Sequence, residues 1–370
     1  TEEYLKMTVD KYHIGGIRYN PGTAAEVHEQ NRILQENSKI PLIIACNTEN
    51  GGNGACSNGT MIGAQTKIGA TGDAKYAKAL GKMANTEAAA IGCNLSFAPV
   101  SDIYYNWHNP VVGLRTYGND PQRVMEMTQA YMEGAHEVPG FCCAAKHFPG
   151  DGMDYRDQHI TTTVNSLEMA DWYATFGKVY REMIAAGVDS IMAGHIALPA
   201  YKQEKSARFD MPLPATLNRA LITDLLKGEL GFEGVVVTDA LGMGGFAGWY
   251  DTREIAEIEA FKAGCDMMLW PTPAFADNLE RAVLSGEVPM ERLDDAVSRI
   301  LRVKERAGLF SEDYTPFCPL SADEEAFVKD TQRRCADKSI TLLRDKAHHF
   351  PLSPAKTPRI AIVPIVEFGP

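Results

Sequence analysis

Short apolar runs alternate with segments of helical periodicity along most of this 370-residue chain. The apolar runs cover residues 14–19, 41–46, 94–99, 142–146, 188–195, 234–239 and 266–270. Helical patterns fall between most of them, at residues 24–38, 73–91, 121–137, 166–187, 216–230, 252–264 and 273–284. Because each run is continuously apolar, it is typical of a strand that is buried on both faces. The alternation therefore predicts βα units arranged around a parallel sheet.

The residues that end the apolar runs distinguish between two parallel-sheet architectures. A doubly wound sheet and a (β/α)8 barrel both fit the alternation. In a barrel, the C-terminal ends of the strands meet at one mouth, where active sites lie. Polar or functional residues end nearly every run, namely Arg18, Asn47, Asp102, Lys146, His147, His195, Asp239 and Trp270. We therefore predict an α/β fold of the TIM-type (β/α)8 barrel class, with a first strand that is missing or atypical because only seven runs are visible.

The pattern changes after Phe310. Residues 313–320 contain two prolines and are typical of a connector, whereas residues 322–338 have a helical pattern. Residues 340–344 and 359–363 are apolar enough to predict short strands. We predict a catalytic barrel over residues 1–312, a linker and connecting helix over 313–345, and the truncated beginning of a C-terminal α/β domain over 346–370.

Charge and composition disfavour several classes of protein. The net charge of −12 argues against binding to nucleic acid or to an anionic membrane surface. No apolar run approaches the roughly 18–20 residues of a membrane span. The eight cysteines include no C-x-x-C pair, so neither a metal site nor a redox motif is expected, and reduced thiols favour the cytoplasm. The oligomeric state is not readable from the sequence.

Residues 145–159 carry the strongest chemical signal in the chain. An apolar run ends in Lys146 and His147, and a Pro-Gly pair and a second glycine then break the backbone. The segment closes on Asp157-x-His159, in which the carboxylate can hold one ring nitrogen and leave the other free to move a proton. A loop can also hold such a pair without any function. As a functional pattern, the pair predicts proton transfer by His159 with Asp157 as its partner.

Asp239 is the candidate nucleophile. It ends a buried run, where its carboxylate faces the predicted barrel mouth and can attack an electrophilic carbon. The structural alternative is an N-cap for the following helix. A retaining glycosidase needs a nucleophile and an acid about 5–5.5 Å apart, and an imidazole can replace the usual carboxylic acid because its ordinary pKa is near 6.5.

Six further residues are candidates for binding a sugar. They are Arg115, Lys146, His147, Asn47, His195 and Trp270. Lysine, histidine and arginine donate hydrogen bonds to oxygens, and a tryptophan ring suits the apolar face of a sugar. Each residue also has a structural alternative, such as an ion pair for the cations, a turn for the asparagine, and core packing for His195 and Trp270. Their joint position at the ends of the runs favours function.

Taken together, these residues resemble glycoside hydrolase family 3, and specifically its β-N-acetylglucosaminidase branch, over almost the whole chain. The most specific run is Lys146-His-Phe-Pro-Gly150. Residues 47–52, 97–102 and 113–120 are similar to further segments of the family, the last of them to its sugar-binding arginine motif. Residues 237–239 are similar to the strand that carries the nucleophile. Asp157-x-His159 resembles the loop Asp-His pair of this branch, whereas other members take the acid from a further domain.

The resemblance implies a retaining β-N-acetylglucosaminidase that acts by double displacement. Asp239 is then the nucleophile, and His159, paired with Asp157, is first the acid and then the base. The expected partner is a carbohydrate, and no cofactor is implied. Asn47, Asn53 and Asp151 stand where peptidoglycan-recycling relatives usually have Asp, Arg and His, which disfavours an anhydromuropeptide substrate.

Four alternatives stay open at this point. Phosphate can replace water as the acceptor, because a histidine acid/base does not repel the incoming dianion as a carboxylate does. A β-glucosidase-like specificity would leave the Asp-His pair without a purpose. A non-catalytic glycan-binding barrel would have no reason to hold Asp239, Asp157 and His159 together. A nucleotide-binding oxidoreductase lacks a G-x-G-x-x-G segment after its first run.

Overall fold

The computed structural model describes residues 2–202, 205–206, 208–313, 317, 319–357, 359 and 361. The chain divides into two units, Thr1–Ser339 and Ile340–Pro370. The described residues of the second unit form no helix or strand, so the elements below all belong to the first. Within the same described residues, no helix has the length and apolar character needed to cross a membrane.

Six parallel strands form the main sheet. In spatial order they are β1 (Gly16–Arg18), β2 (Ile43–Cys46), β3 (Leu95–Ser96), β4 (Cys142–Phe148), β6 (Ser190–Ala193) and β8 (Val235–Thr238). Two short strands, β5 (Thr163–Val164) and β7 (Ile196–Ala197), form a separate parallel pair.

Helices connect the strands of the sheet and cover its outer face. They are α1 (Glu2–Tyr12), α2 (Ala24–Asn37), α3 (Gln65–Gly69), α4 (Lys75–Ala89), α5 (Pro121–His136), α6 (Met169–Ala174), α7 (Phe176–Ala185), α8 (Gly244–Ala247), α9 (Arg253–Ala263), α10 (Phe275–Leu284), α11 (Met290–Arg306) and α12 (Ala322–Ser339). A further helix with π-type hydrogen bonding spans Ala220–Glu229. Local signals start several of these helices: Asp120 caps the Pro121 end of α5, and Thr23 and Glu26 form a capping box on α2.

The main sheet curls, so that alternate side chains of its strands point into the interior. Ile43 and Ala45 of β2 point inwards, whereas Ile44 packs outwards against helices. After β8, a single bridge joins Val237 to Met267, and the Met267 side chain lies against Gly16 of β1. The α/β class and the parallel sheet are confirmed. Within the described residues, however, the strands form a half-barrel of six rather than a closed ring of eight.

Several predicted elements differ from those observed. Segment 166–187 contains two helices, because Thr175 leaves the helical region between them. In segment 216–230 the helix starts only at Ala220, and the run 266–270 contributes one bridge rather than a strand. Residues 340–344, which were predicted as a strand, have an irregular backbone, and the side chains of Ile340 and Leu343 are exposed.

The domain boundaries stay a prediction. The connecting helix predicted after the barrel corresponds to α12, which lies in the first unit, and this unit ends at Ser339. Most of the strand predicted at 359–363 lies outside the described residues. The seven described cysteines are buried free thiols, as expected for reduced side chains.

Two glycines allow α4 and α5 to pack closely. A Cβ atom on Gly81 of α4 would lie 2.0 Å from the carbonyl oxygen of Tyr131, and one on Gly134 of α5 would lie 1.9 Å from that of Lys78. Both neighbours are backbone atoms and cannot rotate away. The crossing of these helices outside the sheet therefore depends on the absence of side chains at both positions.

We predict that Gly81→Ala lowers the free energy of unfolding by about 1–3 kcal/mol, the usual cost of overpacking. Alanine otherwise stabilises a helix by about 1 kcal/mol relative to glycine, so a loss would identify the close contact as the cause. Urea denaturation gives the measurement. Gly248→Ala is the control, since its Cβ would meet only the Gly244 carbonyl oxygen at 3.8 Å. Equal stability of the two variants would contradict the close-packing explanation.

Candidate active site

A cavity of ≈ 330 Å³ opens at the C-terminal edge of the main sheet. This volume is at the lower end of the range of about 300–1,000 Å³ that is usual for small-molecule sites. Seven of the nine site residues predicted from sequence line it, namely Asn47, Arg115, Lys146, His147, His159, Asp239 and Trp270. The other two, Asp157 and His195, contact residues of its wall.

Asp239 follows β8 directly and is held by the sheet. Its backbone N–H donates to the Ala193 carbonyl oxygen at 2.8 Å, which extends the pairing with β6 by one residue. Burial alone would raise the pKa of Asp239, but the His147 ring, the Ala240 N–H and the Lys146 charge outweigh burial, and the pKa lies below its ordinary value. The carboxylate is therefore largely buried and ionised at neutral pH.

His147 presents one ring nitrogen towards Asp239. Its Nδ1–H donates to Asp102 Oδ2 at 2.7 Å, and its Nε2 lies 3.8 Å from Asp239 Oδ2. Asp102 has no exposed surface and also accepts the backbone N–H groups of His147 and Asp151, at 3.1 and 2.8 Å. Because the carboxylate accepts all three bonds, it fixes the His147 tautomer, the ring orientation and the turn after β4.

A buried ion triad forms the floor beside these groups. Glu49 binds Arg115 with both carboxylate oxygens, at 2.9 and 3.0 Å, and binds Lys146 Nζ at 2.5 Å. The two cations hold the pKa of Glu49 well below its ordinary value in spite of burial. For Lys146, burial lowers the pKa more than Glu49 raises it. The triad ties together segments that follow β2 and β3 and the end of β4.

Asp157 and His159 form a hydrogen-bonded pair at the rim of the cavity. His159 Nδ1 lies 2.6 Å from Asp157 Oδ1, and the same carboxylate oxygen accepts the His159 backbone N–H at 2.8 Å. The His159 side chain is 57% exposed, whereas that of Asp239 is only 14% exposed. The imidazole is therefore accessible to solvent and to a group that enters the cavity.

The loop that carries this pair docks on the segment after Asp239. The carbonyl oxygens of Gln158 and His159 accept the N–H groups of Gly245 and Gly244, at 3.1 and 2.7 Å. A Cβ atom on Gly244 would lie 2.2 Å from the Ile160 carbonyl oxygen, so the contact requires glycine. The two candidate catalytic groups are thus joined through backbone.

Gln158 and Asp151 link the rim to the floor. The Gln158 side chain accepts the His195 backbone N–H at 3.0 Å and reaches Asp151 Oδ2 at 3.4 Å. Asp151 also accepts hydrogen bonds from Asn109 Nδ2 at 2.9 Å and from the next backbone N–H. Burial, together with the charge of Asp102, raises the pKa of Asp151 to about 6. Asp151 is therefore a buried carboxyl group that can hold a proton near neutral pH.

The prediction that His195 binds substrate is corrected by its burial. The residue has no exposed surface, and both of its ring nitrogens are used inside the protein. Nε2 donates to the Ala240 carbonyl oxygen at 3.1 Å, which leaves Nδ1 to accept from the Thr216 hydroxyl at 2.9 Å. Burial lowers the pKa of His195 and favours the neutral ring. His195 supports the backbone next to Asp239 from behind and has no nitrogen left for a ligand.

Asn47 and Trp270 contribute to the cavity in different ways. The Asn47 side-chain oxygen is buried and has no hydrogen-bond partner among the described residues, so it can accept a hydrogen bond from a ligand hydroxyl. Trp270 is 47% exposed and adopts a left-handed backbone conformation with φ of 57°. Its ring forms an apolar part of the wall.

Four wall or support residues were not assigned a role from sequence: Arg18, Asp102, Asp151 and Gln158. Arg18 and Asp102 were visible only as polar residues at the ends of runs. Asp151 and Gln158 lie within the loop that was singled out, but the sequence does not reveal that their side chains meet each other. That contact depends on how the loop folds back after β4.

The chain is similar to proteins of one known family. The profile described as the Glycosyl hydrolase family 3 N terminal domain matches residues 1–303. A β-N-acetylglucosaminidase/β-glucosidase of Cellulomonas fimi is 36% identical over 375 residues, which cover 99% of this chain and 66% of that protein.

Solved structures of related proteins are also similar to this chain. The structure of β-glucoside phosphorylase BglX bound to 2FGlc matches with a TM-score of 0.87 and 34% identity, over 95% of this chain and 64% of that chain. A family 3 β-N-acetylglucosaminidase from Paenibacillus sp. str. FPU-7 matches with a TM-score of 0.83 and 32% identity, over 93% and 66%. The chain thus spans less than two thirds of the length of these three relatives.

We predict that Asp151 makes stability depend on pH in the direction opposite to a salt-bridged aspartate. Its pKa is raised to about 6 in the folded protein, which therefore retains a proton that the unfolded chain has lost. The free energy of unfolding should fall as pH rises from about 4 to 6, by up to about 3 kcal/mol. Asp151→Asn should remove this component in urea denaturation at pH 4, 5, 6 and 7.

Asp10→Asn, which removes an exposed carboxylate of α1, is the control for the change in net charge. A difference between wild type and Asp151→Asn that is the same at every pH would show that Asp151 does not titrate in this range.

Proposed function

The chain belongs to glycosyl hydrolase family 3, as the sequence predicted, and from this premise we propose that it removes terminal β-linked N-acetylglucosamine with retention of configuration. The observation that carries the proposal is a single cavity lined by both the buried carboxylate of Asp239 and the exposed imidazole of His159. The names of two relatives, from Cellulomonas fimi and Paenibacillus, support the substrate class. The reaction is a double displacement with water as the acceptor.

In the first step, Asp239 attacks the anomeric carbon while His159 protonates the departing oxygen. The lowered pKa of Asp239 supports its role as an ionised nucleophile. Asp157 holds Nδ1 of His159, which leaves Nε2 for the proton transfer. The bond from carbon to the leaving oxygen breaks as the bond from carbon to Asp239 forms.

In the second step, His159 acts as the base. Its Nε2 takes a proton from water, the water oxygen attacks the anomeric carbon, and the carboxylate of Asp239 is released. The exposure of His159 supports this role, because the acceptor has to arrive from solvent after the leaving group has gone.

We assign sugar binding to the floor and walls of the cavity. Arg115 and Lys146 have N–H donors beside Glu49 for which the described residues offer no partner, and these suit adjacent hydroxyl groups of one ring. The unpartnered oxygen of Asn47 suits a hydroxyl donor, and the Trp270 ring suits an apolar sugar face. His147 Nε2, near Asp239, suits a hydroxyl close to the anomeric carbon.

Phosphorolysis is the second candidate. It uses the same first step, and then a phosphate oxygen replaces water as the acceptor. The β-glucoside phosphorylase relative favours it, as does the guanidinium of Arg18 in the cavity wall. The name of the Cellulomonas fimi relative also includes β-glucosidase, so β-glucosides are the third substrate to assay.

Replacement of each catalytic group, followed by addition of azide, tests the two roles. Asp239→Ala should lower kcat/KM for an aryl β-N-acetylglucosaminide by about 10⁴-fold or more. Azide should restore turnover and give the α-glycosyl azide, because it enters the space of the lost carboxylate. With His159→Gly, azide should instead give the β-glycosyl azide, because it replaces the water of the second step. A β product from Asp239→Ala would contradict the assignment of the nucleophile.

The acid role of His159 predicts an effect that depends on the leaving group. His159→Gln should lower kcat/KM by about 10²–10⁴-fold for a poor leaving group such as an alkyl alcohol. For 2,4-dinitrophenolate, which leaves without protonation, kcat/KM should change little. His349→Gln, at an exposed histidine of the second unit, is the control. An equal loss for both leaving groups would exclude His159 as the proton donor.

A further inference from the structure

Three cationic side chains of lysine and arginine line the cavity, and they differ in how their charge is balanced. Arg115 and Lys146 share the carboxylate of Glu49. Arg18, at the end of β1, forms no ion pair with any residue in the described part of the chain. A half-buried guanidinium without a carboxylate is unusual, because burial of an unpaired charge is costly.

The hydrogen bonds of Arg18 leave part of its guanidinium free. Nη1 donates to the Tyr19 carbonyl oxygen and to Asn20 Oδ1, the latter at 3.1 Å. Within the described residues, Nε and Nη2 have no hydrogen-bond partner. Burial also lowers the pKa of Arg18, which reflects a loss of water around the group. The adjacent nitrogens Nε and Nη2 therefore remain for a ligand.

Trp270 covers one side of this guanidinium. The centre of the Arg18 group lies 5.3 Å from the centroid of the Trp270 ring, within the range of a cation–π contact. Trp270 is held in the left-handed region, which is strained for a bulky residue, and its carbonyl oxygen accepts a hydrogen bond from Arg253. Strain of this kind is often found at ligand sites. In Trp270, this backbone conformation places the ring against Arg18 on the wall of the cavity.

We propose that Arg18 and Trp270 form an oxyanion subsite inside the catalytic cavity, which takes a tetrahedral oxyanion of the phosphate or sulfate type. The planar fork of a guanidinium can bind two oxygens of such a group, and the neighbouring ring limits access of water. The inference rests on the proposed function, because the cavity is taken to be the site of turnover. It adds an oxyanion, beside the sugar, to the groups that the cavity recognises.

Two sources can supply this oxyanion. One is free phosphate, which would act as the acceptor in the second step. An unprotonated oxygen of hydrogen phosphate attacks the anomeric carbon, the bond to Asp239 breaks, and its electron pair returns to the carboxylate. The proton stays on the phosphate, so no base is needed. The other source is a sulfate or phosphate substituent carried by the glycoside itself.

Inorganic sulfate is the probe for the subsite, because it is a poor glycosyl acceptor and reports binding alone. Isothermal calorimetry on the full chain should detect sulfate binding, and Arg18→Met should weaken it about tenfold or more. Arg123→Met, which removes an exposed arginine of α5, is the matched control and should bind sulfate like wild type. Equal binding by Arg18→Met and wild type, or no binding by wild type, would overturn the proposal.

Turnover then distinguishes the sources. If phosphate is the acceptor, wild type forms N-acetylglucosamine 1-phosphate in proportion to added phosphate, and Arg18→Met loses this product. If the substituent is recognised, a 6-O-sulfated aryl glycoside has a higher kcat/KM than its neutral analogue in wild type but not in Arg18→Met. If sulfate binding depends on Arg18 but Arg18→Met changes neither reaction, the subsite has no part in turnover and the proposal is overturned. Failure of the proposed function is separate: wild type would then release no aryl group from any glycoside.

Discussion

Glu49 balances two buried cations with one carboxylate, and the organisation of the cavity depends on this balance. Arg115 lies in the segment after β3 and Lys146 in β4, and neither cation would be stable at the floor without a shared anion. The arrangement leaves one positive charge in excess beside Asp239, which helps to keep that carboxylate ionised despite its burial. The ion triad therefore contributes both to the position of the segments after β2 and β3 and to the ionised state of Asp239.

A second network holds the rim to the floor. Asp102 binds the His147 ring and the turn after β4. Asp151, which lies in that turn, contacts the side chain of Gln158, and Gln158 stands in the sequence between Asp157 and His159. Because Gln158 also binds the backbone of His195, the loop is anchored on both sides. The loop can thus keep a defined position relative to the sheet, although the His159 side chain is 57% exposed.

Sequence patterns predicted the strands and the location of the site, because buried parallel strands are continuously apolar and their C-terminal ends meet at one edge. Seven of the nine predicted site residues line one cavity at that edge. The contacts between side chains could not be predicted from the sequence. Glu49 meets its two cations, and Asp151 meets Gln158, only because of how the intervening segments fold. His195 was misassigned because a polar residue at a strand end can also point behind the cavity. The run at 266–270 has the composition of a strand but lacks a continuous neighbour.

The burial of Asp239 and the exposure of His159 suit the roles of these residues in the proposed reaction. The nucleophile needs a fixed position and a stable charge, and Asp239 obtains both from the sheet and from buried donors. The acid/base needs to meet leaving groups and acceptors that come and go, and His159 is accordingly at the rim. Arg18 does not fit either requirement, because it is neither paired like the floor cations nor exposed like the rim. A charge in that position is explained by a ligand that brings its own negative charge into the cavity.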